Sequence, residues 1–301
     1  MNLWHILLLP ILEVLLVGAL SGLVGVLAVL NRRVFFAESV THGVFPGAVL
    51  GVVIAAGFGA GHSGLSACLF AGAFLMCLPL AGLMGLLVRL PGISSQAAAG
   101  IVLTLGFALG YFLATWFQPL PLQVATFLTG SVLTVSEVDI ATAGAALAAL
   151  VLLMRGRGGM LASHCFDASS TPARMRRGLD GLMHAAIILA VVVVIPAVGT
   201  VLSIALIAAP AAGLKGIAPS LRAYTIAAPL AGAVIGLTGL GIAVAADLSV
   251  GGTIAAVAGV FFLICVSLGE GARFIGRGPR PHPRRQGARR RPLRLPATRA
   301  R

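Results

Sequence analysis

The sequence predicts an all-α polytopic membrane protein of about nine transmembrane helices, with eight as the alternative. Three observations carry that expectation. Hydrophobic residues make up 59% of the 301-residue chain and charged residues only 10%, where a soluble domain carries roughly 25% charged residues. The apolar residues come in long blocks divided by short polar stretches, as spans of about 20 residues across a hydrocarbon core of about 30 Å require. Segments of about 10 residues with alternating hydrophobicity, the mark of an outer-membrane barrel, are absent. Mean hydropathy is +1.06.

The blocks cover approximately residues 6–30, 34–60, 65–88, 97–117, 136–154, 182–214, 224–246 and 251–268. The first lacks a positively charged leader and is too long for a signal peptide, so it is retained as a span; it holds Glu13 and the small-residue series Gly18, Gly22 and Gly25. The second follows Arg32 and Arg33 and carries Glu38, His42, Pro46 and Gly47. Arg89 follows the third, Gln96 opens the fourth, and Arg155, Arg157, Arg174, Arg176 and Arg177 follow the fifth. The sixth block runs to about 50 Å as one helix, too long for an untilted span, and Pro196 and Gly199 interrupt it. Splitting it there puts Lys215, Arg222 and the carboxyl terminus on the same side as the other basic loops, the cytoplasmic one. Nine spans with the amino terminus outside follow. The seventh block holds Gly232, Gly236, Gly239 and Gly241; such stripes let helix backbones approach closely in lipid. Asp247 precedes the eighth, where it is expected to cap that helix.

The formal net charge of +13 is concentrated at one end. Eleven arginines and no acid lie in residues 271–301, while residues 1–270 carry ten basic against eight acidic groups. A transmembrane domain over 1–270 and a disordered Arg/Pro-rich cytoplasmic tail over 271–301 are expected, the tail lying against anionic membrane lipids. Topology already explains its charge, so no nucleic-acid partner is expected. The four cysteines form no CxxC pair and read as small core residues. The one lysine, Lys215 in Gly-Leu-Lys-Gly, is not part of a phosphate-binding loop, so the chain is expected to be no enzyme and to hydrolyse no ATP.

An ionisable group inside a span costs a few kcal/mol or more unless paired or hydrated, which makes Glu38 and His42 the informative pair. Four residues apart on a helix, they share one face at about 6 Å between Cβ atoms. A carboxylate with an imidazole suits Mn²⁺, Fe²⁺ or Zn²⁺ rather than Ca²⁺ or Mg²⁺. The competing reading makes Glu38 an acid near a helix start, beside Arg32 and Arg33. Pro46 and Gly47 follow one turn later, where a helix break frees backbone groups to line a cavity or simply kinks the packing. His5, His62, His164 and His184 lie at span ends, where an interfacial role is expected.

Six segments in order resemble the membrane permeases of ABC importers for zinc, manganese or iron ions. Residues 22–51 are similar to that family's Gly-Asp-Ala-Leu-Ser-His-Ala-Val-Leu-Pro-Gly signature, with Glu38, His42, Pro46 and Gly47 in register. Residues 100–114 and 127–139 resemble its Gly-Ile-x-Phe-x-x-x-Phe-Ala-Leu-Gly and Leu-Phe-Gly-x-Ile-Leu-x-Val-Ser segments. Residues 167–178, with Asp167, Ala173 and Gly178, resemble its ATPase-docking element, longer here by two residues. Residues 198–212 match its Val-Gly-x-x-Leu-x-x-Ala-Leu-x-x-x-Pro-Ala-Ala pattern through Gly199 and Pro210, and 239–253 its last signature through Asp247 and Gly251. The chain departs from the family at Glu38, where Asp is usual, and at Gln96 and Ser249, where Asp and Pro are frequent.

The resemblance implies a homodimeric permease in the bacterial inner membrane. A separate cytoplasmic ATPase subunit and an extracellular metal-binding protein would be its partners. It would hold no permanent cofactor and would pass a divalent Mn, Zn or Fe ion by Glu38 and His42. A metal chelate or vitamin is the alternative cargo, disfavoured by an aromatic content of 6%; a non-transporting scaffold is the third reading.

Overall fold

The computed structural model describes residues 3–121, 130, 135–166 and 172–275. Among these, ten helices and no strands are present. They are α1 (Leu3–Leu30), α2 (Val34–Gly43), α3 (Phe45–Gly57), α4 (His62–Leu87), α5 (Ser95–Trp116), α6 (Glu137–Phe166), α7 (Ala173–Val198), α8 (Thr200–Leu214), α9 (Leu221–Ala246) and α10 (Val250–Ile275). Eight helical segments are long and apolar enough to cross a membrane, α2 and α3 together forming one of them. α8 is a further apolar helix of 15 residues, about 22 Å long. The long sixth block therefore divides as expected, near its middle. Its break falls at Gly199, whose φ of 88° and ψ of 164° only glycine adopts readily, and Pro196 remains inside α7. The Ser203 hydroxyl donates to the Gly199 carbonyl, tying the first turn of α8 to the break.

Three helices clearly outrun their apolar blocks. α6 continues twelve residues beyond 154 to Phe166, and α7 begins at Ala173 rather than 182. Hydropathy marks the part that suits lipid, whereas the helix continues wherever the backbone can still bond to itself. α10 likewise runs into the start of the basic tail, as far as Ile275.

α1 lies at the centre, against α6, α7, α8 and α9. Its small residues set its closest crossing. A side chain at Gly18 would strike Gly232, and one at Gly22 would strike Ala228, while Gly236 faces Val14. The register rises along α1 as it falls along α9, so the two run antiparallel. α8 runs parallel to α1, with Gly25 against Ile207 and Ala211. Val26, Val29, Leu30, Ala211, Leu214, Tyr224 and Leu221 then pack together. That cluster puts Lys215 and Arg222 at the same end of the bundle as Arg32 and Arg33. Tyr224 is buried, and its hydroxyl donates to the Ala211 carbonyl at 2.7 Å, joining α9 to α8. Large apolar side chains such as Leu75 and Leu78 of α4, Tyr111 and Phe112 of α5 and Leu263 of α10 are exposed, as expected where the surrounding solvent is hydrocarbon.

Candidate functional site

α2 and α3 carry the site, and glycines decide how they are held. Pro46 has no N–H, so the His42 carbonyl loses its usual donor four residues on, and the helix is divided at Val44. Gly43 meets Gly106 of α5, and Gly110 of α5 meets the Phe45 ring and Pro46, so α5 runs parallel to α2 and α3 in backbone contact. On another side Gly47 faces Gly72 of α4, and Gly51 faces Cys68. Pro46 and Gly47 are both buried. Gly47 also lines an open apolar groove of about 400 Å³ with Gly51, Cys68, Gly72, Met76 and Pro79. Around the break, Gly47 thus packs against α4 and also borders that groove.

Both Glu38 and His42 lie on α2 and are half-buried, between the buried Phe36, Ala37, Ser39, Val40, Thr41 and Gly43. Thr41 sets the chemistry of His42. Its hydroxyl donates to the Glu38 carbonyl at 2.7 Å and lies 3.1 Å from His42 Nδ1, which is itself 3.2 Å from that carbonyl. A carbonyl only accepts, and the threonine proton is already committed to it. With two oxygen atoms within 3.2 Å of Nδ1, this arrangement favours the tautomer with the proton on Nδ1 and the lone pair on Nε2. In that tautomer Nε2 is the nitrogen able to accept a proton or a metal ion. The ring packs edge-on to Phe107 of α5, with centroids 5.9 Å apart, and Phe107 stacks on Phe45 at 6.1 Å. Among the described residues no cluster of three or more His, Cys, Asp or Glu side chains is placed to hold a metal ion.

The remaining sequence candidates are scattered. Gln96 is exposed and lines a cavity of about 250 Å³ with Asn31, Arg32, Arg33, Met84 and Ser95; a site fronted by two guanidinium groups repels cations. Asp247 does not cap the helix that follows it. It takes the left-handed conformation, φ 53°, at the carboxyl end of α9, with its N–H donating to the Ala243 carbonyl. Gly251 is buried near the start of α10 and Pro210 is buried inside α8. Gly178 is exposed on α7. Ala173 begins α7; Asp167 lies outside the described residues, as do the tail beyond 275 and the side chains of His5 and His62.

Glu13 is 1% exposed in α1, and its Oε2 has no hydrogen-bond partner among the described residues. Sequence reasoning missed the polar cluster at the arginine-rich end. Asp180 Oδ1 accepts from His164 Nε2 at 3.1 Å and lies 3.5 Å from Arg33 Nη2. Arg33 Nη1 donates to His184 Nε2 at 2.5 Å, and His184 Nδ1 donates to the Asp180 carbonyl at 2.6 Å. The sequence held one clue, the spacing of Asp180 and His184 by a single helical turn.

The ABC 3 transport family model matches residues 4–269. The zinc transport system membrane protein TroC of Treponema pallidum is 30% identical over 235 residues, covering 76% of this chain and 77% of TroC. The manganese transport system membrane protein MntC of Halalkalibacterium halodurans is 27% identical over 256 residues, 83% of this chain and 82% of MntC. Among solved structures, PsaBC from Streptococcus pneumoniae in complex with Fab superposes with a TM-score of 0.73 at 25% identity, over 88% of this chain and 92% of that one.

Proposed function

The chain belongs to the ABC 3 transport family, and on that premise we propose that it is the membrane permease of an ATP-driven importer. Its cargo is a divalent transition-metal ion, Mn²⁺, Zn²⁺ or Fe²⁺, carried across the cytoplasmic membrane. ATP is hydrolysed by a separate cytoplasmic ATPase subunit, and an extracellular metal-binding protein delivers the ion. The amino terminus lies outside and the arginine-rich end, with the tail over 271–301, inside against anionic lipid.

The ion passes Glu38 and His42. The observation that carries this assignment is the setting of the imidazole: Thr41 and the Glu38 carbonyl favour the proton on Nδ1, which leaves Nε2 able to accept a metal ion. Two ligands per chain bind weakly, which suits a step that must release its cargo. A homodimer supplies a second such pair, and water completes the shell. Loop 167–178 receives the push of the ATPase and tilts the helices around the path.

Cells lacking this protein, rescued by wild type or by His42→Ala, test the reading. Uptake of labelled Mn²⁺, Zn²⁺ or Fe²⁺ restored by wild type alone supports both cargo and site; equal rescue by His42→Ala removes the site, and no defect for any of the three ions removes the cargo.

A further inference from the structure

Something must connect the loop on which the ATPase pushes to the helix that holds the ion. Segment 167–178, read above as the part on which the ATPase acts, follows α6 and includes the first turns of α7, whereas Glu38 and His42 sit on α2, more than a hundred residues earlier in the chain. Among the described residues, a cluster of polar side chains at the arginine-rich end bridges the gap. Arg33 is the residue immediately before α2. Its guanidinium reaches α7 twice, to Asp180 and to His184. Asp180 also accepts from His164, two residues from the end of α6, so one carboxylate ties the segments on both sides of the loop to the start of α2. The Phe36 ring, on the first turn of α2, packs edge-on against His184 with centroids 4.6 Å apart.

The geometry fixes the direction of each bond in this cluster. Arginine can only donate and a backbone carbonyl can only accept. His184 therefore donates through Nδ1 to its own helix and accepts from Arg33 through Nε2. Arg33 is engaged by a ring nitrogen on one Nη and a carboxylate on the other, a forked grip that a single flexible ammonium does not reproduce. His164 is 5% exposed with its second nitrogen unpartnered among the described residues, so Asp180 is its one hydrogen-bonding anchor there. A displacement of either end of the loop is thus delivered to Arg33, and Arg33 has no side-chain link of its own to the ligands except through α2.

We propose that Arg33 and Asp180 form a strut, with His164 and His184 as its braces, that transmits movement of the start of α7 to α2 and so positions Glu38 and His42 during the transport cycle. The strut rests on the transport reading above. Arg33 and Asp180 are positioning residues, so a change in them alters how much transport each hydrolysed ATP yields.

The test is run in proteoliposomes containing the full chain with its ATPase subunit. Mn²⁺ uptake and ATP hydrolysis are measured together, and assembly is checked by co-purification. Arg33→Gln and Asp180→Asn alone should keep assembly and hydrolysis while ions moved per ATP fall about fivefold or more; the exchange Arg33→Asp with Asp180→Arg should recover at least half of the loss. An unchanged ratio in both single variants, or an exchange no better than the single variants, overturns the strut. A second measurement does not depend on those variants folding well. Arg33→Cys with Asp180→Cys, in a chain whose four native cysteines are replaced, should couple poorly until a short thiol-reactive cross-linker joins the pair, and coupling should then rise; no rise overturns the proposal. If wild type moves no Mn²⁺, Zn²⁺ or Fe²⁺ at all, the transport reading fails, and that result is distinct from a transporting wild type indifferent to the strut.

Discussion

Replacing Gly106 by alanine tests the packing that holds the site. A methyl group there would lie 2.5 Å from the Gly43 Cα, with the Gly43 carbonyl carbon and oxygen both at 3.4 Å. Carbon atoms rest about 3.5–4.0 Å apart, so α5 and α2 must part by about 1 Å. Both contacting groups are backbone, and neither can rotate away. Overpacking of this kind costs about 1–3 kcal/mol, and relief of a mid-helix glycine returns about 0.5–1 kcal/mol, leaving a net loss of up to about 2.5 kcal/mol and a gap of about 1–3 kcal/mol from a glycine-to-alanine change without the clash. Gly241→Ala is the internal control: it sits on α9, and nothing lies within 4 Å of its added methyl. It should gain the about 0.5–1 kcal/mol of helix propensity with no clash. The two variants are compared by equilibrium unfolding of the detergent-solubilised protein in graded SDS. Because Gly43 follows His42 directly, uptake should also fall in Gly106→Ala. A Gly106→Ala chain as stable as Gly241→Ala would refute the backbone contact between α2 and α5.

Gly199→Ala places a side chain at φ 88° and should destabilise by about 1–3 kcal/mol, read as a lower unfolding midpoint in the same titration. Tyr224→Phe removes the second hydrogen bond to the Ala211 carbonyl, which keeps the Lys215 N–H, and should cost about 1 kcal/mol; unchanged stability would show that bond to contribute nothing. Glu38→Asp shortens the ligand arm by one methylene. It should preserve uptake while changing the ranking among Mn²⁺, Zn²⁺ and Fe²⁺ in competition assays, and an unaltered ranking would take Glu38 out of ion selection.

Most of the bundle was legible because lipid imposes one rule on every span: the backbone must satisfy itself and the outside must be apolar. The break in the sixth block was readable for the same reason, since 33 residues exceed the bilayer and glycine supplies the turn. The helix ends were not, because α6 and α7 continue through polar residues that hydropathy discards. Glu38 and His42 stood out as a candidate pair from type and spacing, but Thr41 did not; its contact with the His42 ring depends on three-dimensional distances that spacing alone does not give. Asp247 was placed on the wrong helix because an aspartate before a helix start and one in a left-handed terminal turn look alike in sequence. The Arg33, Asp180, His164 and His184 cluster brings together three helices, and nothing local in the chain specifies such a meeting.

The most direct measurement is ATP-dependent flux of Mn²⁺, Zn²⁺ and Fe²⁺ into proteoliposomes holding the permease with its ATPase, comparing wild type with Glu38→Ala and His42→Ala after confirming that each assembles. The account predicts flux of at least one ion in wild type and its loss in both variants. Wild-type flux in both variants would contradict the claim that Glu38 and His42 form the path of the ion.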